Sequence, residues 1–182
     1  MAISISDFKS AFNGGTRSNR FLVSGVIPGN GVISKFHIAT TLIPSMSSQR
    51  IEYNYFGRKA YYPGEKQYTP WSVMILDDTS ADGNLWKKFS NWHNTINNHE
   101  TNNSFLPTIA SDYKANNWTV NHLNLNGEAN PHKSFIMHGC WPKTIEPIQF
   151  SMTSPNTLVK FSVVIMYDWI EMTGITDVVP QT

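Results

Sequence analysis

Only one stretch of this chain carries a helical period of any length, and that restricts the fold more than any other feature. In TSADGNLWKKFSNWHNTINN, residues 79–98, the residues Leu85, Phe89, Trp92 and Ile96 recur at i, i+4, i+7 and i+11. One face of the helix is therefore apolar and needs a sheet to cover it. Ser80 or Asp82 caps its start, Lys87, Lys88 and Asn91 point away, and the polar run NNHETNNS ends it. A chain of 182 residues is long enough to bury a real core. With one substantial helix, that core has to be built from strands.

Strand signals fill the rest. NRFLVSGVIPGNG and ISKFHIATTLIP read as two strands, the second with Phe36 and Ile38 on one side, joined by a hairpin loop at IPGNGV. WSVMILDD reads as a buried strand. WTVNHLNLN alternates without a clean apolar side, and GEANPH reads as a turn. Three strands close the chain: KSFIMHGCW, TIEPIQFSM and the long apolar TLVKFSVVIMYDWIEM, whose composition suits a central strand. At the other end, SISDFKSAFNGG predicts a short helix capped by Ser4 or Ser6. Ile5, Phe8 and Phe12 share a face, and Gly14–Gly15 terminate it. Residues 97–117 are polar and show no readable order. The reading is a mainly β (α+β) fold: a β-sandwich or barrel of about seven strands with one packed helix, a projecting hairpin arm and a short N-terminal helix. It forms a single domain over residues 1–171, and the extension 172–182 has no core pattern.

The arm is the stretch QRIEYNYFGRKAYYPGEKQYTP. RIEYNYF alternates and puts Ile51, Tyr53 and Tyr55 on one face, while GRKAYYPGEKQYTP is dense in turn formers. Arg58, Lys59, Tyr61, Tyr62, Glu65, Lys66 and Tyr68 crowd into it, with Arg50 just upstream. Basic residues interleaved with aromatics serve single-stranded nucleic-acid binding in some proteins, but no wider basic patch surrounds this one. A solvated hairpin tip accounts for the same mixture.

Composition narrows the partners. Charged residues make up only 15% of the chain against roughly 25% in an average soluble domain, and Asn, Ser, Thr and aromatics replace them. Such a surface repels its own copies weakly, and aromatics concentrate in interface cores. The formal net charge of +1 provides no global attraction for nucleic acid or anionic lipid. No apolar run is long enough to span a membrane, and MAISISDFKSAF lacks the basic and apolar regions of a secretory signal. A single cysteine rules out an internal disulfide, and folding in a reducing cytoplasm fits.

Chemistry-bearing patterns are sparse. His138 and Cys140 stand two apart, so on a regular strand imidazole and thiol would share a side. A nucleophile also needs an orienting group and an oxyanion hole. Nothing marks these, and Cys140 reads as a small buried hydrophobe. Histidines 37, 93, 99, 122, 132 and 138 have no metal-ligand spacing; His122, His132 and His138 could meet only across strands. Asp77–Asp78 suits a turn before the helix, and Asp168 and Glu171 end the last strand. Phosphate-binding and nucleophile-elbow motifs are missing. No cofactor, metal or catalytic residue is expected.

Three stretches together carry a resemblance. FHIATTLIP is followed by GRKAYYPGEKQYTPWSVMILDD, then by the helix with LWKKFSNWHNTI, and later by GCWPKTIEPIQFSMTSPNTLVKFSVVIMYDWIE. Their order and spacing, over residues 5 to 171, resemble the tail tube proteins of contractile-tailed bacteriophages. That family is related to the tubes of contractile injection systems and type VI secretion. The resemblance implies a structural virion protein whose homohexameric rings stack into a hollow tube. Double-stranded DNA passes through it without sequence readout. It implies partners in the sheath, the baseplate tube-initiator and the tail terminator, and assembly in the bacterial host cytoplasm. By position the arm matches the family's ring-to-ring hairpin, and the N-terminal helix is a second stacking element. A longer tail after Glu171 leaves a baseplate tube-initiator open, and these motifs do not separate a phage tube from a DNA-free injection tube. From other classes, a ligand-binding β-barrel module would be monomeric with an apolar pocket. A cysteine-dependent enzyme would rest on Cys140 alone.

Overall fold

The computed structural model describes residues 4–11, 16–78, 84–98, 100, 113–115, 117–124, 127–153 and 156–173. In chain order the elements are α1 (Ile5–Ala11), β1 (Phe21–Ile27), β2 (Gly31–Ile33), a 3-10 turn (Lys35–His37), β3 (Ile38–Thr41), β4 (Met46–Tyr55), β5 (Arg58–Tyr68), β6 (Trp71–Leu76) and α2 (Leu85–Ile96). Then come β7 (Trp118–Asn124), β8 (Gly127–His138), β9 (Trp141–Ile145), β10 (Lys160–Met166) and β11 (Trp169–Thr173). One sheet runs β11-β8-β7-β1-β2, a second β3-β6-β10-β9, and β4-β5 stands as a separate pair. Every strand pairing is antiparallel. The fold is β-rich, as the sequence leads one to expect.

Strict alternation builds the core. Val73, Ile75, Val163 and Ile165 from the four-stranded sheet, and Val23, Val120 and Met137 from the five-stranded one, are all buried between the layers. Aromatic rings hold the centre. Trp71 and Trp118 meet edge to face across the sandwich at 5.6 Å, and Phe89 of α2 lies 6.3 Å from Trp118 and 6.2 Å from Phe161. Each buried indole N–H finds an acceptor: Trp71 Nε1 donates to Leu42 O at 2.9 Å, Trp92 Nε1 to Tyr113 O at 2.6 Å and Trp118 Nε1 to Val26 O at 3.2 Å. Gly25 on β1 leaves room for this cluster, because a Cβ there would enter the Trp118 ring. Leu85, Phe89 and Trp92 are buried on α2, and Ile96 is half-buried one turn further on.

The eleven strands among the described residues exceed the expected number of about seven because long apolar runs break where the chain changes sheets. ISKFHIATTLIP is not one strand: the Lys35–His37 turn carries the chain from β2 in one sheet to β3 in the other. The final run likewise bends at Tyr167–Asp168 and becomes β10 and β11. GEANPH is not a turn but the start of β8. TIEPIQFSM is strand only to Ile145; residues 146–152 leave the sheet, where Pro147 has no N–H for a ladder. Helix α2 is capped by Asn84, whose Oδ1 accepts from Lys87 N at 2.9 Å. Ser80 and Asp82 lie outside the described residues, as do Phe12, Gly14, Gly15, His99, Leu125 and the tail from residue 174. On α1 Ser4 is the cap: its Oγ accepts from Asp7 N, and Asp7 Oδ2 accepts from Ser4 N.

Two sheet crossings lie side by side. Gly139, with φ +68, leads from β8 into β9, while Asp168 N donates to His138 O at 2.9 Å as β10 becomes β11. A Cβ on Gly139 would collide with the Asp168 carboxylate, so glycine is needed there for both conformation and space. Lys114 Nζ closes the corner on Asp168 Oδ2 at 2.6 Å.

Candidate assembly surfaces

The arm formed by β4 and β5 owes little to the rest of the molecule. Its strands pack chiefly against each other, and nearly all its residues are exposed. A bulge between Ser48 and Arg50 twists it, and the two-residue loop Phe56–Gly57 turns it with positive φ at both positions, 46° and 75°. Register separates its chemistry onto two faces. Ile51, Tyr53 and Tyr55 stand opposite Tyr62, Ala60 and Arg58, and Ile51 and the three tyrosines of this face are exposed. The other face holds Glu52 opposite Tyr61, and Asn54 opposite Lys59. There Lys59 Nζ reaches Glu52 Oε1 at 2.6 Å, and the Arg50 guanidinium sits 4.6 Å above the Tyr61 ring.

The residues singled out in this stretch therefore part company. Arg58, Lys59, Tyr61, Tyr62, Glu65 and Lys66 belong to the free arm. Tyr68 does not: it is half-buried at the arm's base, its ring 5.7 Å from that of Tyr167. Phe56 was not singled out, although a Phe-Gly pair between two alternating strands marks a two-residue turn with an exposed ring at its first position.

Exposed apolar side chains also lie elsewhere. Ile5 and Phe8 on α1 are exposed. A groove of about 550 Å³ runs between α2 and the chain that follows β9, lined by Trp86, Ile145, Pro147, Ile148 and Phe150. The outer strands β2 and β11 of one sheet, and β3 and β9 of the other, have open edges among the described residues.

The His138–Cys140 pair separates in space. Left-handed Gly139 interrupts the strand alternation between them. His138 faces outward, stacked 3.8 Å from the Trp169 ring with Nε2 3.3 Å from Glu171 Oε2, whereas Cys140 is wholly buried and its Sγ–H donates to Met137 O. The two acidic pairs also have local roles, Asp78 approaching His37 at 3.5 Å and Asp168 holding Lys114. His122 and His132 approach with ring centroids 6.2 Å apart, His138 does not join them, and no group of potential metal ligands occurs among the described residues.

Burial pushes the Cys140 thiol up from its ordinary 9.0 to about 12. Burial, then the neighbouring Tyr68, raises Tyr167 from 10.0 to about 12. The unfolded chain releases both protons at lower pH than the folded one. Their contribution is therefore complete below pH 9 and is lost as pH climbs towards 12. Thermal midpoints should fall steeply above pH 9, and less steeply in Cys140→Ala. At pH 8 the native thiol should resist a thiol reagent until the chain is unfolded; rapid labelling of the native protein would contradict this placement of Cys140.

Comparisons with known proteins fit this geometry. A family model described as phage tail tube protein matches residues 26–172. The tail tube protein gp19 of Enterobacteria phage T4 is 23% identical over 176 residues, covering 92% of this chain and 99% of gp19. Among solved structures, one from the sheath-tube complex of the extracellular contractile injection system PVC superposes with a TM-score of 0.59 at 18% identity, covering 96% of this chain and 100% of that one. One from the baseplate of the anti-feeding prophage reaches a TM-score of 0.63 at 13% identity, covering 88% and 97%.

Proposed function

The chain belongs to the phage tail tube protein family, and on that premise we propose that it forms homohexameric rings that stack into the inner tube of a contractile tail. Double-stranded DNA passes through this tube from capsid to host. The observation that carries the reading is the arm, a long hairpin whose aromatic face is exposed and whose side chains up to Gln67 stay out of the core. Open strand edges on both sheets supply surfaces for lateral pairing, where an edge is an asset to assembly. A ring closes by heterologous contacts, and rings stacked by such contacts grow without limit. The near-neutral chain suits a conduit, because a basic lumen would hold DNA by salt-dependent phosphate contacts.

The working unit is one domain over residues 1–171 with an extension at 172–182, the first two residues of which finish β11. It acts as a structural element of the virion tail, assembled in the host cytoplasm. Sheath, baseplate tube-initiator and tail terminator are its partners, and it performs no catalysis. A second reading, a baseplate-proximal tube or the tube of a DNA-free injection system, draws on the fold shared with the anti-feeding prophage baseplate chain. Negative-stain microscopy of the purified protein decides the class. Rings or tubes with a pore wider than a DNA duplex are expected, and a protein that stays monomeric at high concentration would sink the tube reading.

A further inference from the structure

We propose that the arm's tip anchors in the α2–β9 groove of a second copy, Phe56 entering between Trp86, Ile148 and Phe150 while Arg58 meets Glu146 on the rim. This rests on the tube reading above and specifies its stacking contact. Phe56 is the first observation. A bulky side chain at φ +46 occupies a turn position that favours Asn or Gly, and the ring is 89% exposed. Its one aromatic neighbour among the described residues is Tyr55, edge-on at 4.6 Å. Within the subunit this strained placement gains almost no burial, which directs attention to a contact outside it.

The groove is the second observation. Phe150 is 81% exposed and Trp86 41%, and the volume between them is in the range of pockets that bury a ligand, about 300–1,000 Å³. Register then places tip and groove apart. The arm leaves the four-stranded sheet where β6 begins, at Trp71, which pairs with Ile165 near the end of β10. The groove forms after β9 has passed Val163. There Glu146 N donates to Ser162 O, and Pro147 and Gln149 flank Lys160 and Phe161 at the start of β10. Arm root and groove thus lie towards opposite ends of one sheet. One copy offers the knob and the next the hole, a head-to-tail contact that extends without closing.

Charge selects the same pairing. Lys59 is engaged by Glu52, but Arg58 beside the turn and Glu146 on the groove rim have no ion-pair partner among the described residues. Opposite charges that meet at such a rim fix register and orientation between copies.

The test compares Phe56→Gly, Arg58→Glu, Glu146→Arg and the double charge swap with the wild type, by microscopy and sedimentation at matched concentrations. Glycine relieves the turn, so Phe56→Gly should keep or raise the melting temperature. Its rings should form, yet the concentration needed for stacking should rise at least tenfold. Each single charge reversal should abolish stacking, and the double swap should restore it. Tubes of wild-type length from Phe56→Gly would overturn the anchor. Single reversals that still stack, or a double swap that does not, would overturn the pairing. A wild-type protein that makes neither rings nor tubes would instead remove the tube reading on which the proposal rests.

Discussion

Trp92→Ala is expected to lower the unfolding free energy by about 3–5 kcal/mol, the usual range for deleting a buried aromatic side chain. Trp92 is fully buried, lies nearly parallel to Trp118 with centroids 6.3 Å apart, and touches Phe89 at 6.0 Å. Truncation opens a cavity where helix and sheets meet and leaves Tyr113 O without its 2.6 Å donor. For a chain of this size the melting temperature should fall by roughly 6–20 °C. Trp92→Phe separates the two causes in large part: it loses the hydrogen bond and only the volume by which an indole exceeds a phenyl ring, so about 1–2 kcal/mol is expected. Urea titrations of both variants measure this. A loss under about 1 kcal/mol for the alanine variant would mean that the helix is not anchored through this stripe.

That stripe was legible because helical periodicity is a local signal. Leu85, Phe89 and Trp92 read as a buried face from spacing alone, and all three lie in the core. The sheets were harder for a physical reason. A strand that bends into a second sheet stays apolar through the bend, since its inner face is buried on both sides of it. Tyr167 is buried between β10 and β11, so composition does not mark the break, and only pairing partners reveal it. WTVNHLNLN showed no apolar side because, among its described residues, just Trp118 and Val120 are buried, while His122 on the same face turns to Arg17 O at 3.1 Å. GEANPH read as a turn from its Gly, Asn and Pro, yet pairing with β7 extends it into a strand, a case of tertiary context overriding local propensity.

The assembly surfaces were half legible. Alternation alone placed Ile51, Tyr53 and Tyr55 on one face, and the hairpin pairs them with Tyr62, Ala60 and Arg58. The groove was not visible at all. Trp86 lies off the helix's buried stripe, and Ile148 and Phe150 lie in a segment read as strand; they come together only when residues 146–150 leave the sheet beside α2. His138–Cys140 shows the opposite failure. Two residues at strand spacing looked adjacent until a left-handed glycine put them on opposite sides.

Shortening the arm should abolish stacking while leaving the fold intact. Joining Ser48 to Lys66 through Asn-Gly keeps the pairs Met46–Tyr68, Ser47–Gln67 and Ser48–Lys66 and supplies a favoured two-residue turn. The deleted stretch contributes no side chain to the core, so the change in unfolding free energy should stay near the ±0.5 kcal/mol typical of surface substitutions. Closing the shorter loop costs less entropy, which works in the same direction. Tyr68 has to be spared, because its contact with Tyr167 makes the arm's base part of the domain. Circular dichroism should therefore show an unchanged melting temperature, and microscopy should show rings that no longer stack. The two readouts fail independently. A large drop in melting temperature would make the arm part of the folding unit, and normal tubes from the shortened chain would move the stacking contact to another surface, with α1 and its exposed Ile5 and Phe8 the first to examine.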